Sequence, residues 1–535
     1  AITGGEVKAT GGYGGAGIGG GNKGDGKDIA ISGDAKVDAQ GGDQSGAGIG
    51  GGKEGAGSGI AISGGEVKAT GGDFGAGIGG GENGDGSGIT ISGDAKVNAT
   101  GGKRSAGIGG GDEGSGRDIE ITGGKVTASS KSDGAGIGGG NSGDGENITI
   151  SGGEVTATGG SDEEGLSSGY GAGIGGGYAG DGRNIKITGG KVTASSKNAG
   201  AGIGGGDEGN GEDITITGGE VKASSENVGA GIGGGYKGDG KRIKITGGIV
   251  DAASNIGGAG IGGGAGSLNE NNGNGEDITI SGGEVTAKSS KNGAGIGGGM
   301  WGKGKDITVS GDAQLKVQGG VGDYFDGPGA GIGDGGSRPK GSTGGSPIPG
   351  AEVGPDTSGL TTNGSIEYYA PGADMEKDEP TSTTTGTLSP QEKPVEPIEP
   401  VEPIEPAEPG KPVEPTESEQ PEAKRGAAAP LYRVTDKDGR DIVYTAERKD
   451  GVLTVTVDED FAVLTGRLSG IRTLKAQGVE KIIFVTNGAT SAFMLSDLLE
   501  KGESGDTYKL THDGKAVTFT LGEKMANVSS ILIKP

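Results

Sequence analysis

Residues 134–157 read GAGIGGGNSGDGENITISGGEVTA, and close variants of this stretch recur throughout residues 1–335. The heptad GAGIGGG or a near variant occurs eleven times, and the commonest spacing between its central isoleucines is 29 residues. Self-similarity at such a period indicates a solenoid, in which one structural unit repeats along the chain. The heptad isoleucines are Ile18, Ile49, Ile78, Ile108, Ile137, Ile174, Ile203, Ile232, Ile261, Ile296 and Ile332.

Each repeat contains two further apolar pieces. One is an Ile-x-Ile pair such as Ile148 and Ile150, and the other is a Val-x-Ala pair such as Val155 and Ala157. Alternation with a period of two places both apolar residues on one face of a strand. The glycine-rich segments between the pieces predict turns. The sequence therefore predicts an all-β parallel β-helix, or solenoid, of about ten to eleven 29-residue coils, each with three short strands.

The composition fits a thin repetitive core. Glycine accounts for 135 of 535 residues and apolar residues for 29%, against roughly 45–50% apolar residues in an ordinary globular domain. In a solenoid this content suffices, because stacked coils bury isoleucine on isoleucine along one narrow rod. All 19 prolines lie at Pro328 or later, as expected if the stacked strands need every backbone N–H group.

Other features of the composition exclude whole classes of function. The chain has no cysteine and one histidine, His512, which excludes disulfides, cysteine chemistry and sites built on several histidines. The net charge is −26 and no basic patch stands out, so we expect no nucleic-acid partner. No apolar run approaches the roughly 20 residues of a membrane span, so we expect no membrane insertion. The chain begins at Ala1 and not at Met, so we expect a mature or trimmed fragment from which any signal peptide would already be gone.

A charged column supports the predicted register. In the first eight coils the residue before the Val-x-Ala valine is charged, and six of the seven neighbouring pairs have opposite signs. Opposite charges at strand spacing stabilise a sheet slightly, while like charges repel. We therefore expect these residues to stack coil on coil. The column is Glu6, Lys36, Glu66, Lys96, Lys125, Glu154, Lys191 and Glu220.

Composition divides the chain into three regions. Residues 1–335 are the Gly-rich solenoid. Residues 336–430 are first rich in Gly, Ser and Thr and then acidic and Pro-rich, with the array PVEPIEPVEPIEPAEP at 394–409. Such an array is extended and resists collapse, which predicts a disordered linker. Residues 431–535 resemble an ordinary small domain.

Residues 431–535 predict an α+β domain. The turns KDG at 449–451 and HDG at 512–514 indicate two hairpins, and His512 is expected to be a surface turn residue. The predicted helices span about 461–477 and 491–501, and the predicted strands span 441–447, 452–457, 481–486, 507–511, 515–520 and 529–534.

The rare aromatic residues suggest a binding edge. Tyr178 and Tyr236 each lie four residues after a heptad isoleucine and are two coils apart, and Trp301 lies one residue further along in a later coil. Exposed rings can stack on the apolar faces of sugars, so these three residues are the candidate carbohydrate-binding site. The alternative is that the rings only pack on neighbouring glycines.

Acidic corners raise the question of calcium. The turn after the heptad often reads G-D-G-x-D/N, as at Asp25 with Asp28, at Asp144 and at Asp181. Aspartate and backbone oxygens are calcium ligands, so these four are calcium candidates, and calcium is a possible cofactor. The alternative is a turn in which each carboxylate accepts nearby backbone N–H groups, and the missing nine-residue period favours it.

No paired acids or nucleophile–base pair breaks the repeat pattern, and we expect no catalytic residues, since an active site normally departs from its scaffold. Two insertions, at 161–168 and around 267–273, are either interaction loops or neutral decorations.

The repeat resembles known families. GAGIGGG with ITISGGEVTA is similar to the Gly-rich repeats of secreted and cell-surface proteins of Gram-positive, often gut, bacteria. The ITISGGEVTA units also resemble the clostridial carbohydrate-binding β-helix family. That resemblance covers residues 1–335 and implies a right-handed parallel β-helix that binds acidic plant polysaccharide with calcium.

The sequence thus predicts an extracellular or cell-surface bacterial β-solenoid that acts as a non-catalytic carbohydrate-binding module or adhesin. Its expected partner is a polysaccharide or a host or cell-wall glycan. One alternative is a passive stalk that presents the C-terminal domain. A second is an enzyme similar to the polysaccharide lyases and hydrolases that share the β-helix fold.

Overall fold

The computed structural model describes residues 1–160, 170–267, 273–338 and 347–387, and most of 432–533 apart from short gaps. The gaps are 438–441, 443, 450, 468–470, 472–473, 476–478, 502–506, 522–523 and 526–531. The insertion at 161–168, most of the insertion at 267–273 and the proline array at 394–409 lie outside the described residues. Two units, Ala1–Val401 and Glu402–Pro535, are described separately.

The first unit is a parallel β-solenoid with three columns of strands. The Ile-Gly column is an eleven-stranded parallel sheet of two-residue strands that begin at the heptad isoleucines, so the predicted parallel β-solenoid is confirmed. Its strands are Ile18–Gly19, Ile49–Gly50, Ile78–Gly79, Ile108–Gly109, Ile137–Gly138, Ile174–Gly175, Ile203–Gly204, Ile232–Gly233, Ile261–Gly262, Ile296–Gly297 and Ile332–Gly333.

The other two columns belong to a second sheet. The Ile-x-Ile column comprises Gly26–Lys27 with Ala30–Ile31, Gly57–Ile62, Gly86–Ile91, Gly116–Ile121, Gly145–Ile150, Gly182–Ile187, Gly211–Glu212 with Thr215–Ile216, and Gly304–Val309. The Val-x-Ala column comprises Glu6–Thr10, Lys36–Gln40, Glu66–Thr70, Lys96–Thr100, Lys125–Ser129, Glu154–Gly159, Lys191–Ser196, Glu220–Ser225, Gln314–Gln318 and Ser365–Tyr369. In two coils, one long strand runs through both columns: Gly240–Ser254 and Gly275–Ser289.

Like residues stack on like residues in every column. Ile108 pairs with Ile78 on one side and Ile137 on the other, and Val97 pairs with Val126. From Ile49 onward the heptad isoleucines are 0% exposed. The core is therefore one continuous rod of isoleucine, valine and alanine side chains. This arrangement lets a chain with few apolar residues bury those it has.

Glycine is required where backbones meet inside the rod. Gly138 has φ of +132°, a conformation that residues with a side chain rarely adopt. A Cβ atom added there would lie 2.0 Å from the carbonyl oxygen of Gly175 in the next coil. The Ile-Gly column can therefore stack only with glycine at this position.

The predicted charge column is confirmed in its register. Glu6 faces Lys36, and the pairing continues to Lys191 and Glu220 as the spacing required. Two of these pairs close into ion pairs, Lys125 with Glu154 at 3.1 Å and Lys191 with Glu220 at 3.4 Å. The like-charged pair is Lys96 and Lys125.

The solenoid extends beyond the boundary predicted at residue 335. Ser365–Tyr369 pairs in parallel with Gln314–Gln318, and Ser382–Thr385 adds to it as an antiparallel strand. Leu360 and Ile366 are buried in the solenoid core. Residues 347–387 therefore form part of the first unit, and their assignment to the linker is wrong. Composition did not separate them from a linker, because a terminal coil lacks the repeat pattern while still covering the last rung.

Where the structure describes it, the second unit has two five-stranded sheets and two helical regions, one at Leu495–Lys501 and one at Ile471, Leu474 and Lys475. One sheet contains Arg433–Thr435, Phe461–Arg467, Thr507–Asp513, Ala516–Leu521 and Lys524–Met525. The other contains Thr445–Lys449, Val452–Thr456, Lys481–Val485, Thr490–Met494 and Leu532–Ile533. Both predicted hairpins are present.

Two predictions for this unit are wrong, the first of them in part. Phe461–Arg467 is a strand and not the start of the helix predicted at about 461–477, because it pairs along its length with Thr507–Asp513, a contact that local periodicity does not reveal. The later part of that prediction holds where it is described, since Ile471, Leu474 and Lys475 are helical. His512 is not a surface residue but is 0% exposed. It lies within a strand, and its ring nitrogens bond the hydroxyls of Thr486 at 3.1 Å and Ser491 at 2.8 Å. Burial lowers the pKa of His512 to about 4.

Candidate functional site

Two turns flank each Ile-Gly strand, and hydrogen bonds join them into one edge. We call the residue four before the heptad isoleucine the leading position and the residue four after it the trailing position. The amide of each trailing residue donates to the carbonyl of the leading residue in the preceding coil, at 2.6 to 3.0 Å. For example, Tyr178 donates to Asp133, and Asp207 donates to Tyr170. Side chains from both turns therefore share one edge, here called the double-turn edge.

The double-turn edge changes character along the axis. The leading positions are Gly14, Ser45, Phe74, Arg104, Asp133, Tyr170, Ala199, Val228 and Gly257. The trailing positions are Asn22, Lys53, Glu82, Asp112, Asn141, Tyr178, Asp207, Tyr236, Ala265 and Met300. Aromatic residues at these positions concentrate in the middle coils.

Three tyrosines lie on this edge, and two of them are in contact. The rings of Tyr170 and Tyr178 meet edge to face, with centroids 5.5 Å apart. Tyr236 lies two coils beyond Tyr178 in the trailing column, and the ammonium of Lys237 stands 5.2 Å from its ring centroid. All three side chains are half-buried, so part of each ring faces solvent.

Trp301 occupies a different environment from the two predicted tyrosines. It follows the trailing position and has φ of +66°. Its indole N–H donates to Asp326 at 2.8 Å, and the guanidinium of Arg338 lies 5.4 Å from its ring centroid. The same guanidinium lies 5.7 Å from the ring of Phe325. The structure thus brings Trp301 together with Phe325, Asp326 and Arg338, while Tyr178 contacts Tyr170 and Tyr236 lies two coils further along the trailing column.

Asp207 lies between the two predicted tyrosines in the trailing column. Its side chain is 8% exposed, and its Oδ1 atom has no hydrogen-bond partner among the described residues. Burial and the nearby carboxylate of Glu208 raise the pKa of Asp207, while the positive charge of Lys237 lowers it. The net result is a pKa of about 6. Glu208 and Lys237 form an ion pair at 2.7 Å. The centre of the edge is therefore a buried acceptor between half-exposed rings.

Sequence reasoning missed Tyr170 and Asp207. Both are found at fixed offsets from a heptad isoleucine, so the repeat register contained the signal. The sequence alone did not reveal the hydrogen bond that joins the leading turn of one coil to the trailing turn of the next, and this bond brings the two positions to one edge.

The four calcium candidates lie at turns. Asp25 accepts the amide of Ala56 at 2.9 Å and pairs with Lys27 at 2.9 Å, and Lys27, with that amide, lowers its pKa. Asp144 accepts the amide of Asp181 at 2.8 Å, and Asp181 accepts the amide of Asn210 at 2.6 Å. Asp28 occupies a left-handed turn position with φ of +53°.

This corner column binds one coil to the next. Arg183 adds an ion pair to Asp144 at 2.6 Å. Within the part of the chain that the structure describes, no three His, Asp or Glu residues are grouped so as to hold a metal ion. The chemistry seen at these carboxylates is the acceptance of backbone and cationic donors.

Comparison with known proteins identifies the repeat. A family model described as a beta helix repeat matches nine segments: residues 1–22, 29–53, 60–82, 89–112, 119–141, 148–178, 185–207, 214–236 and 278–300. No curated protein and no solved structure matches the chain. In the ranges described above, no helix is both long enough and apolar enough to cross a membrane. The nine matches and the observed stacking of coils together support a parallel β-helix repeat protein.

Proposed function

We propose that this protein is an extracellular bacterial β-solenoid that binds carbohydrate without catalysis, and that the sugar binds the double-turn edge around Tyr170, Tyr178 and Tyr236. The observation that carries the proposal is the grouping of three half-exposed tyrosines on one edge, in a chain with only 3% aromatic residues. The extracellular habitat follows from the resemblance to Gly-rich surface repeats.

The spacing of the rings suits a chain of sugars. Coils rise by about 4.8 Å each, so Tyr178 and Tyr236, two coils apart, are separated by about 10 Å along the axis. Tyrosine presents an apolar face for stacking and a hydroxyl for hydrogen bonding. A polysaccharide that lies along the solenoid axis contacts both rings and the intervening coil.

Several acidic side chains elsewhere on the solenoid are paired with arginines of neighbouring coils, which favours binding over catalysis. Arg117 bridges Asp85 at 2.5 Å and Glu146 at 3.1 Å, and Arg183 pairs with Asp144. A general acid and base require carboxylates that are available to the substrate, whereas these are engaged with neighbouring coils.

The test is a glycan-array screen of the full chain, followed by affinity measurements on its best ligand. The variant Tyr178→Ala/Tyr236→Ala should bind at least about thirtyfold more weakly, since two stacked rings contribute about 1 kcal/mol or more each. Tyr13→Ala is the matched control, because Tyr13 is a 72% exposed tyrosine in the first coil. Undiminished binding by the double variant would overturn the site. Binding of no glycan by the unmodified chain would favour the passive stalk.

A further inference from the structure

Two aspartates at the trailing position have opposite surroundings. Asp112 and Asp207 each lie four residues after a heptad isoleucine, and each is less than 10% exposed. They differ in the residues at the two neighbouring positions on the double-turn edge, the leading position of the same coil and the trailing position of the next.

Asp112 is satisfied by the solenoid itself. Arg104, at the leading position of the same coil, donates to its Oδ2 atom at 3.1 Å. Asn141, at the trailing position of the next coil, donates to its Oδ1 atom at 3.1 Å. Both acceptor oxygens therefore have internal donors.

Asp207 lacks both of these partners. The residue equivalent to Arg104 is Ala199, which has no side-chain donor, and the residue equivalent to Asn141 is Tyr236. The Oδ1 atom of Asp207 is buried and has no partner among the residues that the structure describes. A buried carboxylate oxygen without a donor destabilises a fold, and such atoms are few in native proteins. The coil that lacks the internal donors is also the coil between Tyr178 and Tyr236.

We propose that Asp207 is the specificity-determining acceptor of the sugar site, and that it receives hydrogen bonds from hydroxyl or amino groups of a sugar stacked on Tyr178 and Tyr236. This inference rests on the proposed function. Because the Oδ1 atom has almost no exposed surface, the side chains around it must move aside before a sugar donor can reach it. The ligand class is a neutral or amino sugar, since the carboxylates of Asp207 and Glu208 repel a uronic acid.

The site should also respond to pH. The charged groups that act on Asp207 are Glu208 and Lys237. With its pKa at about 6, Asp207 is mostly protonated at pH 5 and ionised at pH 7.5. An ionised carboxylate is the stronger acceptor, so affinity should rise about tenfold over this interval, in step with the ionised fraction.

The test is calorimetric titration of the full chain with oligosaccharides of hexose, glucosamine and galacturonic acid, at pH 5 and 7.5. We expect binding of the hexose or the glucosamine oligomer and none of the galacturonic acid oligomer. Asp207→Asn should weaken binding tenfold or more at pH 7.5 and remove the pH dependence. Asp112→Asn is the matched control, at the equivalent position with internal donors, and should keep the unmodified affinity.

A thermal melt of the same variants gives an independent readout. Asp112→Asn should lower Tm because it loses its ion pair with Arg104. Asp207→Asn should not, because it removes a buried charge whose Oδ1 atom has no partner among the described residues. If Asp207→Asn lowers Tm as much as Asp112→Asn, Asp207 has a structural partner and the proposal is wrong.

The outcomes separate this inference from the proposed function. If the unmodified chain binds a glycan, Tyr178→Ala/Tyr236→Ala abolishes binding and Asp207→Asn does not weaken it, the role of Asp207 is overturned and the tyrosine site stands. Preference for galacturonic acid would also overturn the role of Asp207. If no glycan binds, both fail.

Discussion

At the scale of the residue, the solenoid depends on glycines, which have no side chain, as much as on the buried isoleucines. The isoleucines of the Ile-Gly column fill the core, and the glycine after each lets the next coil approach. Gly138 shows the constraint, since its φ of +132° and its contact with Gly175 both exclude a Cβ atom.

Gly138→Ala should therefore destabilise the protein by about 3 kcal/mol or more, through backbone strain and overpacking. Thermal unfolding followed by circular dichroism measures the effect. Gly12→Ala is the control, because an added Cβ there meets nothing within 4 Å, and it should leave Tm nearly unchanged. Equal Tm values for the two variants would contradict the stacking described for the Ile-Gly column.

Residues also mark the limit of what the sequence predicts. The isoleucine offsets predicted the positions of Tyr178 and Tyr236, since both are set by the repeat. Asp207 was passed over because its lack of a partner depends on Ala199 and Tyr236 in two different turns. His512 was misplaced because its partners Thr486 and Ser491 lie on other strands.

At the scale of the element, period-two pairs predicted the strands and the alternation of charge predicted their register. Both signals are local or repeat at a fixed interval, and both are confirmed in the Val-x-Ala column. Phe461–Arg467 had neither signal, because its identity as a strand comes from pairing with Thr507–Asp513.

The charge column predicts that the cost of reversing a charge depends on the charges in the two neighbouring coils. Glu154→Lys would place four lysines in succession at positions 96, 125, 154 and 191, and should destabilise the solenoid slightly, by less than about 1 kcal/mol. Lys125→Glu exchanges one like pair for another and should have almost no effect. Urea unfolding at low salt and at 1 M NaCl tests this, since salt should remove the difference. A larger loss for Lys125→Glu would argue against the stacking of these charges.

At the scale of the whole first unit, the solenoid is nearly one-dimensional, and each coil contacts its neighbours. The regular period was visible in the sequence. The end of the solenoid was not, because residues 347–387 cover the last coil without repeating its pattern.

Deletion of residues 108–136 removes one period of 29 residues and joins Gly107 to Ile137. The flanking coils should then stack Ile78 on Ile137 and retain β structure, with Tm within a few degrees of the original. Circular dichroism and small-angle scattering would show a folded rod that is shorter by one coil, about 4.8 Å. Deletion of only residues 108–121 breaks the 29-residue period, and this variant should no longer unfold in one cooperative thermal transition. Similar behaviour of both deletions would contradict the repeat register.

The central claim is that sugar binds the middle coils of the double-turn edge. Hydrogen exchange of the full chain, with and without the best glycan from the array, tests it most directly. We predict protection confined to peptides covering residues 170–178, 199–207 and 228–236, with the equivalent turns at 104–112 unchanged. Protection confined to residues 432–533 would contradict the claim and assign binding to the second unit.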